Sequence, residues 1–208
     1  MPVPRLALLV ALLLSVAQAC PSLASDSDGA WSRPSRLGVQ PPPDADFGTR
    51  LARAARRQTY GLVVYNPAYM RIAYPKGDVP WYFGVCTDVV VRAYRALGID
   101  LQERVHRARV GSGDTNIDHR RVEVLRRFFA RAGTSLPVTA NPADYRPGDI
   151  VSYHTPNGWF SKTHIAIVAA DTSVAGVPLI IHNRGWGVQQ EDRLFAEKIT
   201  GHYRYSPR

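Results

Sequence analysis

The chain has 208 residues, and 26 Lys and Arg against 17 Asp and Glu give it a formal net charge of +9. Only two cysteines are present, which excludes a fold held together by a disulfide framework. A charge of this sign attracts anionic surfaces or nucleic acid. Because the sequence contains no nucleic-acid-binding motif, we expect no nucleic-acid partner and at most peripheral contact with anionic envelope surfaces.

The N-terminal segment predicts export. Residues 6–17 form an uncharged, almost entirely apolar run of about a dozen residues, shorter than the roughly 20 that a membrane span needs. Small residues up to Ala19 and Ala24 supply candidate cleavage sites. We therefore expect a signal peptide over residues 1–24 and a mature protein in the periplasm or cell envelope. Cys20 follows one of these sites directly and is a candidate for lipidation, as in a bacterial lipoprotein.

A linker and one domain are expected after the leader. Residues 25–46 are rich in Ser, Pro, Gly and Asp and contain too few apolar residues to bury a core, which is typical of a disordered linker. Residues 47–208, about 160 in all, are enough for one domain with its own core. Residues 47–58 have apolar positions at helical spacing and predict a first helix. Residues 66–82 are rich in Pro, Gly and aromatics and predict an ordered, irregular loop.

Residues 86–97 predict an amphipathic helix that begins at Cys86, with apolar side chains at helical spacing. Thr87 and Asp88 suit the first turn, and Gly98 suits the end. The partial positive charge of a helix N-terminus stabilises a thiolate, so we expect a lowered pKa and a nucleophilic thiol at Cys86. The alternative from position alone is a buried structural thiol.

Two more helices and then a set of strands are predicted downstream. The helices cover residues 101–109 and a segment that is capped by Asn116 or Asp118 and ends at Arg131. The four predicted strands cover residues 149–154, 164–170, 177–182 and 198–205. Helices followed by antiparallel strands define the α+β class.

Two histidines lie at strand ends where they could act on the thiol. His164 opens one apolar strand and His182 closes the next, so adjacent antiparallel strands would bring both rings within reach of each other. A cysteine that attacks an amide needs a base and a group that orients that base. The alternative is a pair of strand-end histidines bonded only to the backbone. His154 also ends a strand and could line the site. The histidines in polar or basic segments are expected at the surface: His106, His119 and His202.

The order of these segments resembles the NlpC-type cysteine peptidases, bacterial cell-wall enzymes with a papain-like core. The likeness rests on Cys86 at a helix start, on Arg146-Pro-Gly-Asp-Ile-Val151 and on His164-Ile-Ala-Ile-Val168. Shorter segments resemble an uncharacterised bacterial family placed beside these enzymes: Gly84-Val-Cys-Thr-Asp88, Asn116-Ile-Asp-His-Arg-Arg121, Arg146-Pro-Gly-Asp149 and Ile199-Thr-Gly-His-Tyr203.

The resemblance implies a papain-like α+β core in which Cys86 is the nucleophile, His164 the base and His182 the orienting residue. It implies a monomeric hydrolase without cofactor or metal that cleaves peptide or amide bonds in peptidoglycan or its peptides. The oxyanion hole would combine the Cys86 backbone N–H with an upstream donor, Tyr74 or Tyr82. Further candidates for substrate contact are Asp88, Asp149 and Asn183.

Other functions remain open from the residues alone. A metal-dependent hydrolase would use His164 and His182 with Asp149 or His154, although no His-Glu-x-x-His motif is present. A non-catalytic envelope-binding module would leave the three site residues without chemistry. An acyltransferase or transglutaminase would use the same Cys and His residues on a different acceptor.

Overall fold

The structure, a computed structural model, describes residues 45–158 and 160–207. The expected signal peptide, Cys20 and all but the last two residues of the expected linker lie outside these residues. Among the described residues, no helix has the length and apolarity that crossing a membrane requires.

Among the described residues, four α-helices precede an antiparallel sheet, which confirms the α+β class. The helices are α1 (Phe47–Arg57), α2 (Cys86–Arg95), α3 (Leu101–Ala108) and α4 (Val122–Ala132). The strands are β1 (Val64–Tyr65), β2 (Phe83–Gly84), β3 (Thr134–Leu136), β4 (Ile150–His154), β5 (Thr163–Thr172), β6 (Pro178–Asn183), β7 (Val188–Glu191) and β8 (Lys198–Arg204).

The main sheet has the strand order β3-β8-β4-β5-β6-β7, and every neighbouring pair is antiparallel. Strands β4 to β7 follow each other as a meander, whereas β8 returns to lie between β3 and β4. The sequence pattern missed β3 and β7, because β3 is short and β7 carries Gln189 and Gln190 where an apolar run would be expected. Strands β1 and β2 form a separate parallel pair beside the start of α2.

The helix starts agree with the sequence except at α4. The Asp46 carboxylate accepts the Thr49 backbone N–H at 3.1 Å, so α1 begins with a side-chain cap. The predicted cap of α4 at Asn116 or Asp118 is wrong. Asp118 instead accepts the backbone N–H groups of the loop at residues 112–113, and α4 begins only at Val122.

The core lies between the sheet and helices α1, α2 and α4. Helices α1 and α2 both pack against β5, the central apolar strand. Tyr94 of α2 is fully buried, and its hydroxyl donates to the Tyr205 carbonyl at 2.9 Å. Because α2 is fixed against β5 by this packing, its first residue is held next to the first residues of that strand.

Two histidines expected at the surface are buried, so that expectation is wrong. His119 is 2% exposed and His202 is 1% exposed. His202 lies between the Asp149 carboxylate, at 2.8 Å, and the Pro137 carbonyl, at 3.1 Å, and Arg204 donates to the same carboxylate. These partners satisfy the polar atoms that burial removes from water.

The basic segment at residues 119–131 contains a buried arginine near its start. Arg120 is buried and donates to both carboxylate oxygens of Asp88, at 2.9 and 3.0 Å. It also donates to the carbonyls of Asn66 and Ala68. This one side chain therefore ties the loop after β1 to the first turn of α2.

Candidate active site

Cys86 is the first residue of α2, as the sequence predicts. Val85 before it is extended, and the Asp88 carboxylate accepts the Val85 backbone N–H at 2.7 Å, which fixes the entry into the helix. The Cys86 side chain is buried, with 3% exposed. It faces a cavity of about 390 Å³ that Val85, Arg121 and Val122 also line.

The protonation of Cys86 differs from the expectation. Burial raises the pKa of the Cys86 thiol, and the nearby Asp88 carboxylate raises it further. The backbone N–H groups of Ile165, Thr87 and Cys86 itself lower it, and the resulting pKa is about 11. The expected lowered pKa is therefore wrong, because desolvation outweighs the helix terminus. At neutral pH, Cys86 is a thiol.

His164, His182 and Glu191 form a hydrogen-bonded chain across three adjacent strands. His164 Nε2 lies 2.7 Å from His182 Nδ1, and His182 Nε2 lies 2.6 Å from Glu191 Oε2. The expectation that the two rings meet is confirmed. Glu191 was not predicted, because its strand β7 has no apolar alternation to reveal it.

The carboxylate at the end of this chain decides the tautomers. An ionised Glu191 is an acceptor only, so His182 Nε2 carries the proton that it donates. In this tautomer His182 Nδ1 accepts from His164 Nε2–H, and His164 Nδ1 is left without a proton. Burial lowers the pKa of His164 well below its usual value, and the charges of Arg184 and Arg193 lower it further. His164 is therefore neutral at physiological pH.

The thiol and His164 come from elements that pack together. The backbone N–H of Ile165, the residue after His164, is close enough to influence the Cys86 thiol. Among the described residues, no hydrogen bond joins the Cys86 Sγ to either histidine ring. Catalytic hydrogen bonds are often long before substrate binds and shorten in the complex.

Tyr65 is the tyrosine beside Cys86, in place of Tyr74 or Tyr82. Burial raises the pKa of Tyr65, and the neighbouring Cys86 side chain raises it further. Tyr74 instead packs edge-on against the half-buried His106, with ring centroids 5.2 Å apart. Tyr82 is 43% exposed and lines neither the Cys86 cavity nor a larger cavity beside His164. The two predicted oxyanion tyrosines thus lie elsewhere, while Tyr65 is the last residue of β1, directly before the loop at residues 66–82.

Two cavities meet at Tyr65. The Cys86 cavity lies on one side, and on the other a cavity of about 470 Å³ contains His164 and Glu191. Tyr65 and Phe160 line both and stack on each other with ring centroids 4.5 Å apart. A substrate therefore has room beside the thiol and beside the imidazole.

The remaining predicted site residues support the site or lie outside it. Asp88 is 3% exposed and is occupied by Val85 and Arg120, so it holds the helix start and does not face either cavity. Asn183 donates to the Gly84 carbonyl at 3.4 Å and ties β6 to β2. Asp149 belongs to the buried group with His202 and Arg204.

The ligand set of a metal-dependent hydrolase is not assembled in the part of the chain that the structure describes. Asp149 lies with His202 and not with His164, and His154 is exposed at the end of β4 and lines neither cavity. No group of three His, Cys, Asp or Glu side chains there has the arrangement of a metal site.

A protein family described as a domain of unknown function, DUF1287, matches residues 52–205, which include the whole site. This chain belongs to the DUF1287 family. A relative, the "Uncharacterized protein YijF" of Escherichia coli (strain K12), is 42% identical over 173 residues, which are 77% of this chain and 83% of the relative. The expected membership of an uncharacterised family is confirmed.

Two solved structures are similar to this DUF1287 protein, NlpC1 and NlpC2 from Trichomonas vaginalis. Their sequence identities are 16% and 18%, and their TM-scores are 0.45 and 0.46. Each comparison covers 79% of this chain, which spans about half the length of the two solved chains, 46% and 49%.

Proposed function

We propose that this protein is a cysteine hydrolase, an amidase or endopeptidase that cleaves peptide or amide bonds. The observation that carries the proposal is the His164–His182–Glu191 chain, whose two imidazole rings are buried and which begins beside the helix start that presents Cys86. This chain leaves His164 Nδ1 as a neutral base with a fixed orientation, which is what a cysteine nucleophile requires.

Acylation begins with both groups neutral. The raised pKa of Cys86 keeps the thiol protonated, and the lowered pKa of His164 keeps the imidazole neutral and able to accept a proton. His164 Nδ1 takes the thiol proton as Sγ attacks the carbonyl carbon, so the negative charge passes to the carbonyl oxygen. The imidazolium formed is stabilised by Glu191 through His182, because the carboxylate lies at the far end of the chain.

Collapse of the tetrahedral intermediate breaks the C–N bond. The His164 proton passes to the departing nitrogen, which leaves as an amine, and a thioester remains on Cys86. Water then attacks the thioester carbonyl while His164 accepts one of its protons. Release of the carboxylic acid returns this proton to the Cys86 sulfur, and the protein is restored.

The oxyanion needs donors at the helix start. The backbone N–H of Cys86 belongs to the first turn of α2, where N–H groups have no partner within the helix. The Tyr65 hydroxyl, beside the thiol, supplies a second donor. Both are fixed before reaction, which makes their stabilisation of the developing charge effective.

The proposed substrate is a peptide or amide bond in peptidoglycan stem peptides. The proposed export of the chain would bring it to the cell wall. Removal of residues 1–24 takes away only Arg5 from the formal charge of +9, and the remaining +8 favours association with anionic envelope polymers. The two cavities, about 390 Å³ beside the thiol and about 470 Å³ beside His164, accept segments of a branched peptide.

Purified muropeptides provide the test, with wild type and the variants Cys86→Ala, His164→Ala and His182→Ala analysed by mass spectrometry. We expect cleavage by wild type, none by Cys86→Ala or His164→Ala, and residual cleavage by His182→Ala, because orientation is lost while the base survives. His154→Ala, a histidine outside both cavities, is the control and should retain wild-type activity.

Label incorporation distinguishes hydrolysis from acyl transfer. In water that carries a heavy oxygen isotope, hydrolysis places the label in the new carboxyl group, whereas transfer to another amine does not. Unchanged cleavage by Cys86→Ala would refute the thiol mechanism.

A further inference from the structure

The cavity beside His164 contains an arginine whose hydrogen-bond donors are not used within the described residues. Arg184 and Arg193 both line this cavity of about 470 Å³. Arg184 donates to both carboxylate oxygens of Glu197, at 2.9 and 2.5 Å. Arg193 Nη2 lies 3.9 Å from Glu197 Oε1, which is too long for a hydrogen bond.

The Nε atom of Arg193 is buried and has no partner among the described residues. The nearby carboxylates do not satisfy it, because Glu197 is occupied by Arg184 and an oxygen of Glu191 is occupied by His182. The Arg193 side chain as a whole is 40% exposed, and its terminal N–H groups make no hydrogen bond within the described residues. These groups can therefore donate to an anionic ligand that enters the cavity.

The proposed chemistry decides which part of a substrate enters this cavity. His164 returns its proton to the departing nitrogen, so the leaving amine must lie on the imidazole side of the thiol. The acyl portion, which becomes bonded to Cys86, must lie on the side of the smaller cavity. The Arg193 cavity therefore faces the leaving group.

We infer that Arg193 forms a subsite for a carboxylate carried by the leaving amine. The substrates this favours are amides whose leaving group is an amino acid with a free carboxylate. This inference rests on the proposed function, because the orientation follows from the proton transfer by His164. The guanidinium matches a carboxylate in shape and can donate two parallel hydrogen bonds.

The surroundings of Arg193 fit a small polar residue with some apolar surface. Phe160 and Trp186 line the same cavity and provide flat surfaces for aliphatic carbon. Thr155, Asn157 and Gln189 line it as well and offer neutral polar groups. Glu191 is the one carboxylate that lines this cavity within the described residues; its Oε2 is bonded to His182, and no hydrogen bond joins it to Arg193.

A matched pair of peptides tests the subsite, identical except that the leaving residue carries a free carboxylate or a carboxamide. We expect wild type to prefer the carboxylate by about tenfold in kcat/KM, through KM, because one charge-assisted contact is lost with the amide. Arg193→Gln should lose this preference and Arg193→Lys should keep part of it. Arg57→Gln, which removes an exposed arginine outside the cavity, should keep all of it.

Equilibrium binding separates the two proposals. The same two peptides are titrated into Cys86→Ala and into Cys86→Ala with Arg193→Gln, which requires no turnover. If the carboxylate peptide binds more tightly than the carboxamide peptide and Arg193→Gln removes this difference, the subsite is supported. This holds even if no cleavage is found, and in that case only the proposed function fails. Equal affinity for both peptides, or a preference that survives Arg193→Gln, overturns the inference whether or not the protein is a hydrolase.

Discussion

Cys86 should react slowly with iodoacetamide at neutral pH, unlike the activated thiols of enzymes that hold a thiolate–imidazolium pair. Burial moves the pKa of the thiol from its ordinary value of 9.0 to about 11. A shift of two units lowers the thiolate fraction at neutral pH about a hundredfold, and the thiolate is the species that is alkylated. We therefore expect alkylation about a hundredfold slower than that of an unperturbed thiol.

The assay uses a Cys20→Ser protein, in which Cys86 is the only thiol. Alkylation is followed by intact mass between about pH 7 and about pH 10.5, and the same protein in denaturant gives the rate of an unperturbed thiol, which levels off above about pH 9. Steric shielding lowers the rate equally at every pH, whereas a raised pKa makes the rate climb tenfold per unit without reaching a plateau. The slope, and not the absolute rate, therefore reports the pKa.

An inflection below about pH 8 in the alkylation rate of the folded protein would refute this reasoning, because it would show that the pKa of the thiol is lowered from its ordinary value. The resting site would then be an ion pair, and the attack would not need a proton transfer to His164. A His164→Ala variant is the control, since removal of a neutral ring should leave the slope unchanged.

Three further predictions concern side chains around the site. Glu191→Gln, which keeps an oxygen acceptor for His182 but removes the charge, should reduce turnover by about tenfold to a hundredfold with little change in KM, and wild-type kcat would contradict the proposed role. Asp88→Ala leaves Arg120 buried without its carboxylate and should lower the free energy of unfolding by about 3–5 kcal/mol in denaturant titrations; an unchanged midpoint would argue against it. Burial lowers the pKa of His119 from 6.5 to about 4, so the folded protein keeps this ring neutral while the unfolded chain binds a proton. The stabilisation is present above pH 6.5 and is lost as the pH falls towards 4, so we expect unfolding to become easier by about 2 kcal/mol between pH 7 and pH 5, and His119→Asn to remove that dependence.

The sequence by itself determined the regular elements that bury an apolar face. The periodic segments of α1, α2 and α3 and of strands β4, β5, β6 and β8 were all recognised, because apolar spacing is local and reflects which face meets the core. It also located Cys86 at a helix start and the two histidines at neighbouring strand ends. Those positions depend only on where each element begins or ends.

The start of α4 shows where local signals failed. Asp118 has a side chain suited to capping a helix. Its carboxylate oxygens instead accept the backbone N–H groups of Ser112 and Gly113 in the preceding loop. The polar strand β7 was missed for a related reason. Strand β7 lies at the edge of the sheet and is held there by backbone hydrogen bonds to β6. These bonds do not require apolar side chains, so the sequence of β7 shows no apolar pattern.

Only the tertiary structure decided the chemistry of the site. The sequence indicated a helix-activated thiolate, but desolvation depends on the atoms packed around Cys86 and here exceeds the helix effect. Tyr65 near the thiol, Glu191 at the end of the histidine chain and Arg193 in the cavity all result from pairing between distant segments. Periodicity determines which residues are buried, whereas protonation and partners depend on which segments meet, and that information is not contained in any one segment.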